Sequence, residues 1–165
     1  NLGMAEAILD LRNNGKHLSH DYYGTNARMS EADCAQMLVK LKYFDAWQER
    51  RAHIAEYYTE ELDGWVSIPP VSELVEHAWS KFVIHHSERS VLKLTLENLG
   101  VETRINYITP LHQANITFGL IPFDDSGVRE GAESFSKTCL SLPIYPELSD
   151  SEVEHIVEAV KDFYW

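Results

Sequence analysis

Two short polar segments of the chain carry side chains that suit the binding of anions and sugars. The first is GTNAR, residues 24–28, which stands just before a long helical pattern. The side-chain amide of Asn26 can donate to a phosphate oxygen, and backbone amides at a helix start also favour an anion. Arg28 can bind a carboxylate or a phosphate through two parallel hydrogen bonds. Structural roles stay open for both, because Asn is common in turns before helices and Arg28 can form a salt bridge.

The second segment, NYITPLH at residues 106–112, follows a predicted strand. Binding residues often stand on loops that a rigid strand positions. Asn106 can form hydrogen bonds, and Tyr107 offers a ring face for stacking together with a hydroxyl. His112 can donate to a diphosphate or a hydroxyl group, or it can titrate near neutral pH. The alternative for His112 is a loop histidine whose ring lies on the surface.

The elements before and after the first segment are predicted to be helical. Residues 2–12 show helical spacing of apolar residues, and Asn13-Asn14-Gly15 is a typical helix stop. A second helix is expected from Ser30, as an N-cap with Asp33 at the box position, to Asp63-Gly64. Its apolar residues have a 3–4 spacing that predicts one buried stripe, composed of Cys34, Leu38, Leu41, Phe44, Trp47, Ile54, Tyr58 and Leu62.

The remainder of the chain alternates strands and helices. Strands are predicted at 77–86 and 101–108, and a third at the start of LSLPIYPELSD, residues 140–150. Helices are predicted at about 90–99, at about 129–139 and from 149 onward, and a long loop at 109–127. Few strands with several helices favour an α+β fold with helices packed on a small sheet.

Composition excludes several functional classes. The chain has 165 residues, of which 14 are basic and 26 acidic, for a net charge of −12. An acidic surface repels nucleic acids and anionic membranes. No stretch has the length and apolar content of a membrane span, and no signal peptide is visible, so a cytoplasmic location is expected. Cys34 and Cys139 are expected to be reduced thiols, and the histidines lack the spacing of a metal site.

Four stretches of the sequence together resemble one enzyme family. They are GTNARMSEADCAQMLVKL, RRAHIAEYYTEEL, LGVETRINYITPLH and CLSLPIYPELSDSEVEHIVEAV. In this order and at this spacing, they resemble the carboxy-terminal part of the DegT/DnrJ/EryC1/StrS sugar aminotransferases. The resemblance implies the small C-terminal domain of an aspartate aminotransferase-like fold, and it implies pyridoxal phosphate (PLP) as the cofactor of the full-length parent.

The resemblance also implies that part of the catalytic machinery is missing from these residues. In the family, the lysine that forms the Schiff base with PLP lies ahead of the region that matches residues 1–15. None of the seven lysines of this chain stands in a similar context. Transamination requires that amine both to hold the cofactor and to move a proton. We therefore expect the chain to be a C-terminal fragment that is inactive alone, with no cofactor bound.

The family also implies roles for the residues of the two polar segments. The asparagine that matches Asn26 reaches the PLP phosphate of a neighbouring subunit. The resemblance places Arg28, Asn106, Tyr107 and His112 in the pocket for the sugar nucleotide. Several members have histidine at the position of Asn106, so any acid–base role there is lost. Thr25 and Ala27 replace residues that are often aromatic in the family, which changes the expected pocket wall.

These expectations combine into one domain plan and two functions. Residues 1–29 are expected to follow the large PLP domain, 30–63 to form a long interdomain helix, and 64–165 to form the C-terminal α+β domain. The first function is that of a fragment of a PLP-dependent aminotransferase acting on a nucleotide-linked keto-sugar in amino-sugar biosynthesis. The alternative is a non-catalytic module that dimerises or binds a sugar nucleotide. In both cases a homodimer or a larger oligomer is expected.

Overall fold

A computed structural model describes residues 2–15, 23–72, 74–114 and 130–165 of the chain. The chain divides into two compact units, Asn1–Asp45 and Ala46–Trp165. His17 and His20, two of the histidines whose spacing does not suit a metal site, lie outside the described residues, as does most of the predicted loop 109–127.

The first unit contains two helices, and backbone bonds attach residues 25–27, which precede the second helix, to the end of the first. Helix α1 spans Leu2–Arg12, and it ends where Asn14 and Gly15 adopt positive φ angles of 61° and 69°. Such angles favour Gly and Asn, so the predicted helix stop is confirmed. Helix α2 spans Glu31–Leu41, and the Ser30 hydroxyl caps it by accepting from the amide of Asp33 at 3.1 Å, as predicted.

The single helix expected at 30–63 is wrong, because the chain breaks it into two helices. Helix α2 ends at Leu41, and α3 spans Phe44–Glu61. Between them, the amides of Lys42 and Tyr43 bond to carbonyls three residues back, at 3.2 and 3.0 Å. This tighter turn interrupts the α-helical ladder without a Gly or a Pro, so the residue types contain no signal for the break.

The predicted apolar stripe is buried over only part of its length. Ile54, Tyr58 and Leu62 are fully or almost fully buried. Ahead of them, Trp47 is half-buried, and the earlier side chains of the stripe are exposed, with Leu38 at 65% and Leu41 at 59%. Helical spacing shows which side chains share a face, but it does not show whether anything covers that face.

The second unit contains a two-stranded sheet and most of the described helices of the chain. Strands β1 (Phe82–His85) and β2 (Cys139–Leu142) pair antiparallel, in a register that places Phe82 opposite Leu142. Single bridges extend the sheet on both sides, Ser67 with His85 and Arg104 with Ser141. The strand predicted at 101–108 is therefore wrong, because that segment contributes only the bridge at Arg104. The helices beyond α3 are α4 (Arg89–Asn98), α5 (Glu130–Thr138) and α6 (Asp150–Asp162), and a 3-10 turn spans Leu111–Gln113.

Helices on the sheet bury one core in the second unit. Alternate strand residues Phe82 and Ile84 are buried, and the whole of β2 is buried. Helix α6 adds Val153, Ile156 and Val160 at helical spacing. Burial of such a side chain contributes about 1.5–3 kcal/mol. The α+β class, with helices packed on a few-stranded sheet, is therefore confirmed.

Local signals at the helix ends fix how this core is assembled. Gly100 has a φ of 82° and ends α4, while the amide of Val101 returns to the carbonyl of Leu96 at 2.8 Å. Ser149 and Glu152 form a reciprocal capping box at the start of α6. Among the residues that the structure describes, none of the helices combines the length and apolar content that a membrane crossing requires.

Candidate functional site

Asn26 and Arg28 lie on an extended segment that is tied to the end of α1. The amide of Thr25 donates to the carbonyl of Leu11 at 2.8 Å, and the amide of Ala27 donates to the carbonyl of Arg12 at 2.9 Å. These backbone bonds hold the residue between them, Asn26, at a defined position. The side chains of Asn26 and Arg28 are exposed, and Arg28 Nε lies 3.5 Å from Asn26 Oδ1.

This pair has the donors that a phosphate group requires. Because Arg28 donates to the carbonyl oxygen of the Asn26 side chain, the amide nitrogen of Asn26 and the terminal nitrogens of Arg28 are directed elsewhere. A neutral amide next to a guanidinium fits the phosphate of PLP in charge and in hydrogen-bonding capacity. Neither side chain forms an ion pair with another described residue, so the salt-bridge alternative for Arg28 has no partner within the described ranges.

One amide at the start of helix α2 is already occupied by the N-cap. The amide of Asp33 already donates to Ser30, and the Ser30 hydroxyl donates to Asp33 Oδ2 at 2.7 Å. The first turn of α2 also carries the carboxylates of Glu31 and Asp33. These negative charges take the favourable position at the helix dipole and would repel a second anion there. A contribution of the remaining helix-start amides to anion binding stays a prediction.

Asn106 lines a groove of about 590 Å³ in the second unit. Its side-chain carbonyl accepts from the hydroxyl of Ser141 at 3.0 Å, and Ser141 is a buried residue of β2. The amide end of Asn106 is left to donate. Charged and polar residues from several elements complete the groove: Lys81, Glu102, Arg104, Tyr145, Glu152 and His155. Two basic side chains, Lys81 and Arg104, and two acidic side chains, Glu102 and Glu152, are among those that line the groove.

Tyr107 lies beside the groove and presents its ring to solvent. Two-thirds of Tyr107 is exposed (66%), and the ammonium of Lys81 lies 5.6 Å from its ring centroid. The peptide bond between Asn106 and Tyr107 is cis. Lys81 and Arg104 were missed as candidates from the sequence. Pairing of Arg104 with Ser141 brings it to the groove, and strand register of that kind is not visible in residue types alone.

His112 does not line the groove but pairs with a carboxylate of α5. His112 Nε2 lies 3.2 Å from Glu133 Oε1, and the side chain of His112 is 17% exposed. The alternative of a histidine with its ring on the surface is therefore wrong. Gln113 Nε2 donates to the same oxygen of Glu133 at 3.0 Å. The hydrogen bond from His112 is the largest cause that lowers the pKa of Glu133 below its usual range.

The five residues singled out in the sequence thus fall into two sets. Asn26 and Arg28 belong to the first unit, whereas Asn106, Tyr107 and His112 belong to the second. Within the described ranges, no three His, Cys, Asp or Glu side chains cluster in a way that could hold a metal ion. Cys139 is fully buried, and Cys34 is exposed as a free thiol.

Comparison with known proteins identifies what this arrangement is similar to. The chain is 37% identical over 164 residues to the erythromycin biosynthesis sensory transduction protein EryC1 of Saccharopolyspora erythraea, covering 96% of this chain and 44% of that protein. It is 31% identical over 164 residues to the dTDP-3-amino-3,4,6-trideoxy-alpha-D-glucose transaminase of Streptomyces venezuelae, covering 97% and 43%.

Solved structures agree with these sequence relatives. The structure of DesV from Streptomyces venezuelae superposes with a TM-score of 0.89 at 30% identity, and it covers 99% of this chain and 44% of DesV. A DegT DnrJ EryC1 StrS aminotransferase from Brucella abortus superposes with a TM-score of 0.91 at 26% identity, with the same coverage. The fold is therefore that of the small C-terminal domain of these aminotransferases.

The chain spans less than half the length of the relatives reported above, at 43–44% of each. Within the chain itself, the match to the family is nearly complete, because it extends over residues 3–161. The GTNAR segment, the groove residues and the LSLPIYPELSD segment all fall within those bounds. The chain belongs to the DegT/DnrJ/EryC1/StrS aminotransferase family.

Proposed function

We propose that these 165 residues contribute a part of a PLP-dependent aminotransferase that acts on a nucleotide-linked keto-sugar in amino-sugar biosynthesis. The observation that carries the proposal is the similarity along nearly the whole chain to a transaminase named for a dTDP-linked amino sugar, at 31% identity over 164 residues. The exposed donors of the first unit and the polar groove of the second are what such an enzyme requires from this region.

In this proposal, Asn26 and Arg28 bind the phosphate of the cofactor and an anionic group of the substrate. PLP supplies the electron sink for amino transfer when it is bound. The chain's own contribution is to orient that group, through the amide of Asn26 and the guanidinium of Arg28. The backbone bonds to Leu11 and Arg12 keep both donors in place before a ligand arrives, which lowers the entropy lost on binding.

Asn106, Tyr107 and His112 are proposed to contact the sugar nucleotide. The amide of Asn106 donates into the groove because Ser141 already satisfies its carbonyl. The exposed ring of Tyr107 provides a surface on which a base or a sugar can stack. Asn106 cannot transfer a proton, so its role is limited to hydrogen bonding.

We further propose that the 165-residue chain alone does not catalyse transamination. The cofactor needs an amine that is held within reach of the phosphate site. Lys93 is paired with Glu97, and Lys161 is paired with Glu61 at 2.7 Å. Lys40 and Lys42 are exposed, as are Lys81 and Lys137. The remaining lysine, Lys16, lies outside the described residues. Borohydride reduction of the chain with PLP should accordingly leave no pyridoxyl group on it in stoichiometric yield, as measured by mass spectrometry.

Complementation provides the direct test of the function. The chain would be co-expressed with the preceding part of the Streptomyces venezuelae dTDP-sugar transaminase, which bears the lysine expected from the family. Amino transfer from glutamate to the dTDP-linked keto-sugar would then be measured by mass spectrometry. We expect activity in the mixture and none in either part alone.

The matched variants for this test are Asn26→Ala and Asn98→Ala. Loss of a hydrogen bond to an anion costs about 1.5–3 kcal/mol, so Asn26→Ala should lower kcat/KM at least tenfold. Asn98 stands at the end of α4, is exposed and does not line the groove, so its variant should keep the unmodified activity. A complemented enzyme that tolerates Asn26→Ala would contradict the phosphate role.

A non-catalytic module is the second candidate, and one observation favours it. The apolar side chains of α2 are exposed, which is typical of a surface that associates with another protein surface. Such a module would bind dTDP or dimerise without any turnover after complementation. Activity in the complemented mixture would therefore exclude it.

A further inference from the structure

Glu133 receives two side chains of the 3-10 turn at a single carboxylate oxygen. Both His112 Nε2, at 3.2 Å, and Gln113 Nε2, at 3.0 Å, approach Glu133 Oε1. We infer that Glu133 is a positioning residue, which fixes His112 in the tautomer protonated at Nε2 and so leaves Nδ1 as an acceptor for a hydroxyl group of a ligand. The inference rests on the proposed function only for the nature of that ligand, a sugar nucleotide.

The tautomer follows from the chemistry of the carboxylate. An ionised carboxylate can only accept hydrogen bonds, so the ring nitrogen that faces it must carry the proton. Hydrogen bonds from His112 and Gln113, together with the charge of Lys137, hold the pKa of Glu133 below its usual range and keep it ionised at neutral pH. A neutral histidine protonated at Nε2 has its lone pair at Nδ1.

The carboxylate stands on an element that is firmly attached to the core. Arg89 Nη1 donates to the carbonyl of Ser136 at 2.8 Å, which ties α5 to the start of α4. His85 Nδ1 lies 2.8 Å from the hydroxyl of Thr138, which ties the end of α5 to β1. Because that hydroxyl already donates to the carbonyl of Ser134, His85 must be the donor. Both contacts restrain the helix that carries Glu133.

The turn that carries His112 is a short element at the surface of the second unit. It is a single 3-10 turn, Leu111–Gln113, closed by the amide of Gln113 donating to the carbonyl of Pro110 at 2.9 Å. None of its three residues is buried. Within the described ranges, no other side chain bonds to a ring nitrogen of His112.

Nuclear magnetic resonance of the histidine ring nitrogens tests the inference on the 165-residue chain. Spectra would be recorded at mildly alkaline pH, where imidazoles are neutral. The unmodified chain should show His112 protonated mainly at Nε2. Glu133→Ala should give a mixture of tautomers, whereas Glu133→Gln should keep the preference because its side-chain carbonyl can still accept.

The matched control is Glu130→Ala, which removes an exposed carboxylate one turn earlier on the same helix. It should leave the His112 signals unchanged. The inference would be overturned if His112 kept the same tautomer in Glu133→Ala, or if the unmodified chain carried the proton at Nδ1.

Addition of dTDP separates this inference from the proposed function. We expect dTDP to shift the Nδ1 resonance of His112, and to bind about tenfold more weakly to Glu133→Ala, a change of about 1.4 kcal/mol. A fixed tautomer without any response to dTDP would support the positioning by Glu133 and contradict the role of His112 in nucleotide binding. A response to dTDP without a tautomer preference would contradict the positioning alone.

Discussion

The two units of the chain both contain helices with apolar residues at helical spacing, but these residues are buried in one unit and exposed in the other. Helix α6 buries Val153, Ile156 and Val160 against the sheet. Helix α2 has apolar residues at comparable spacing, yet none of its residues is buried. The pattern in both helices indicates a face that is suited to burial. Only in residues 46–165 does the described chain supply the surface that covers it.

This difference separates the roles that the two units have in the proposed enzyme. The second unit has its own core, so its groove residues stand on a stable framework. The first unit carries Asn26 and Arg28 on a segment that is held mainly by backbone bonds to α1. Its exposed apolar side chains are those expected of a surface that becomes covered on assembly. All four tryptophans lie in residues 46–165, so their fluorescence reports on the second unit alone.

The largest expected difference is in how much substitution by Ala destabilises the chain at two helical leucines, Leu96 in the second unit and Leu38 in the first. Leu96 is fully buried, whereas Leu38 is 65% exposed. Leu96→Ala should lower the free energy of unfolding by about 2–5 kcal/mol, because it leaves a cavity in the core. Leu38→Ala should change it by less than about 0.5 kcal/mol. Urea unfolding followed by far-ultraviolet circular dichroism, which reports on the helices of both units, measures both changes, and equal effects would contradict the contrast.

Self-association should depend on the first unit. We expect the chain to form a dimer or a larger oligomer through the apolar face of α2. The double variant Leu38→Gln with Leu41→Gln should weaken association at least tenfold, or about 1.4 kcal/mol. Analytical ultracentrifugation at micromolar concentration measures the dissociation constant.

The matched control for association lies on α4, where Val91 and Leu94 are 54% and 58% exposed. Changing both of these to Gln should leave the dissociation constant unchanged, because single exposed apolar residues on the second unit are ordinary surface. A monomeric unmodified chain, or equal effects of the two double variants, would argue against α2 as the association surface.

The smallest expected effect is a pH dependence of the free energy of unfolding of the second unit. Hydrogen bonds from the hydroxyl and the amide of Ser149 lower the pKa of Glu152 below its usual value of 4.5. A carboxyl group whose pKa is lower in the folded than in the unfolded chain stabilises the fold at pH values above its unfolded-state pKa. This stabilisation is lost as the pH falls through its folded-state pKa. Tryptophan fluorescence should therefore show that the free energy of unfolding decreases on acidification below about 4.5.

Glu152→Gln separates this contribution from the other carboxylates. Gln can keep the hydrogen bonds of the capping box but has no charge to lose, so the acid decrease should be smaller. Ser149→Ala should have the same effect on the slope, because it removes the hydroxyl that lowers the pKa of Glu152. If the free energy of unfolding fell with pH as steeply in both variants as in the unmodified chain, the capping box would make no contribution to acid stability.

Local signals predicted most of the elements but not their connections. The cap at Ser30, the stop at Asn14-Gly15 and the end of α4 at Gly100 were all visible in residue types, because each depends on a conformation or a hydrogen bond within a few residues. The break at Lys42–Tyr43 and the loss of the strand at 101–108 were not. Both depend on backbone bonding that residues of many types can adopt.

The candidate site shows the same limit. Asn106 was found from the sequence, but its partner Ser141 and the neighbouring Arg104 were not, because antiparallel pairing brings them together across 35 positions of the chain. Glu133 was missed for a related reason, since it stands 21 positions after His112. Contacts between residues so far apart depend on how the elements pack, which residue types do not encode.

The sequence by itself therefore determined the α+β class, the helix ends that have a cap or a Gly, and, through four matching stretches, the family. Each of these depends on residue types within a short segment, or on their order along the chain. Only the tertiary structure decided which apolar faces are covered, which side chains line the groove, and which oxygen holds His112. These depend on contacts between distant segments, and burial or a hydrogen bond is gained only when both partners are brought together in space.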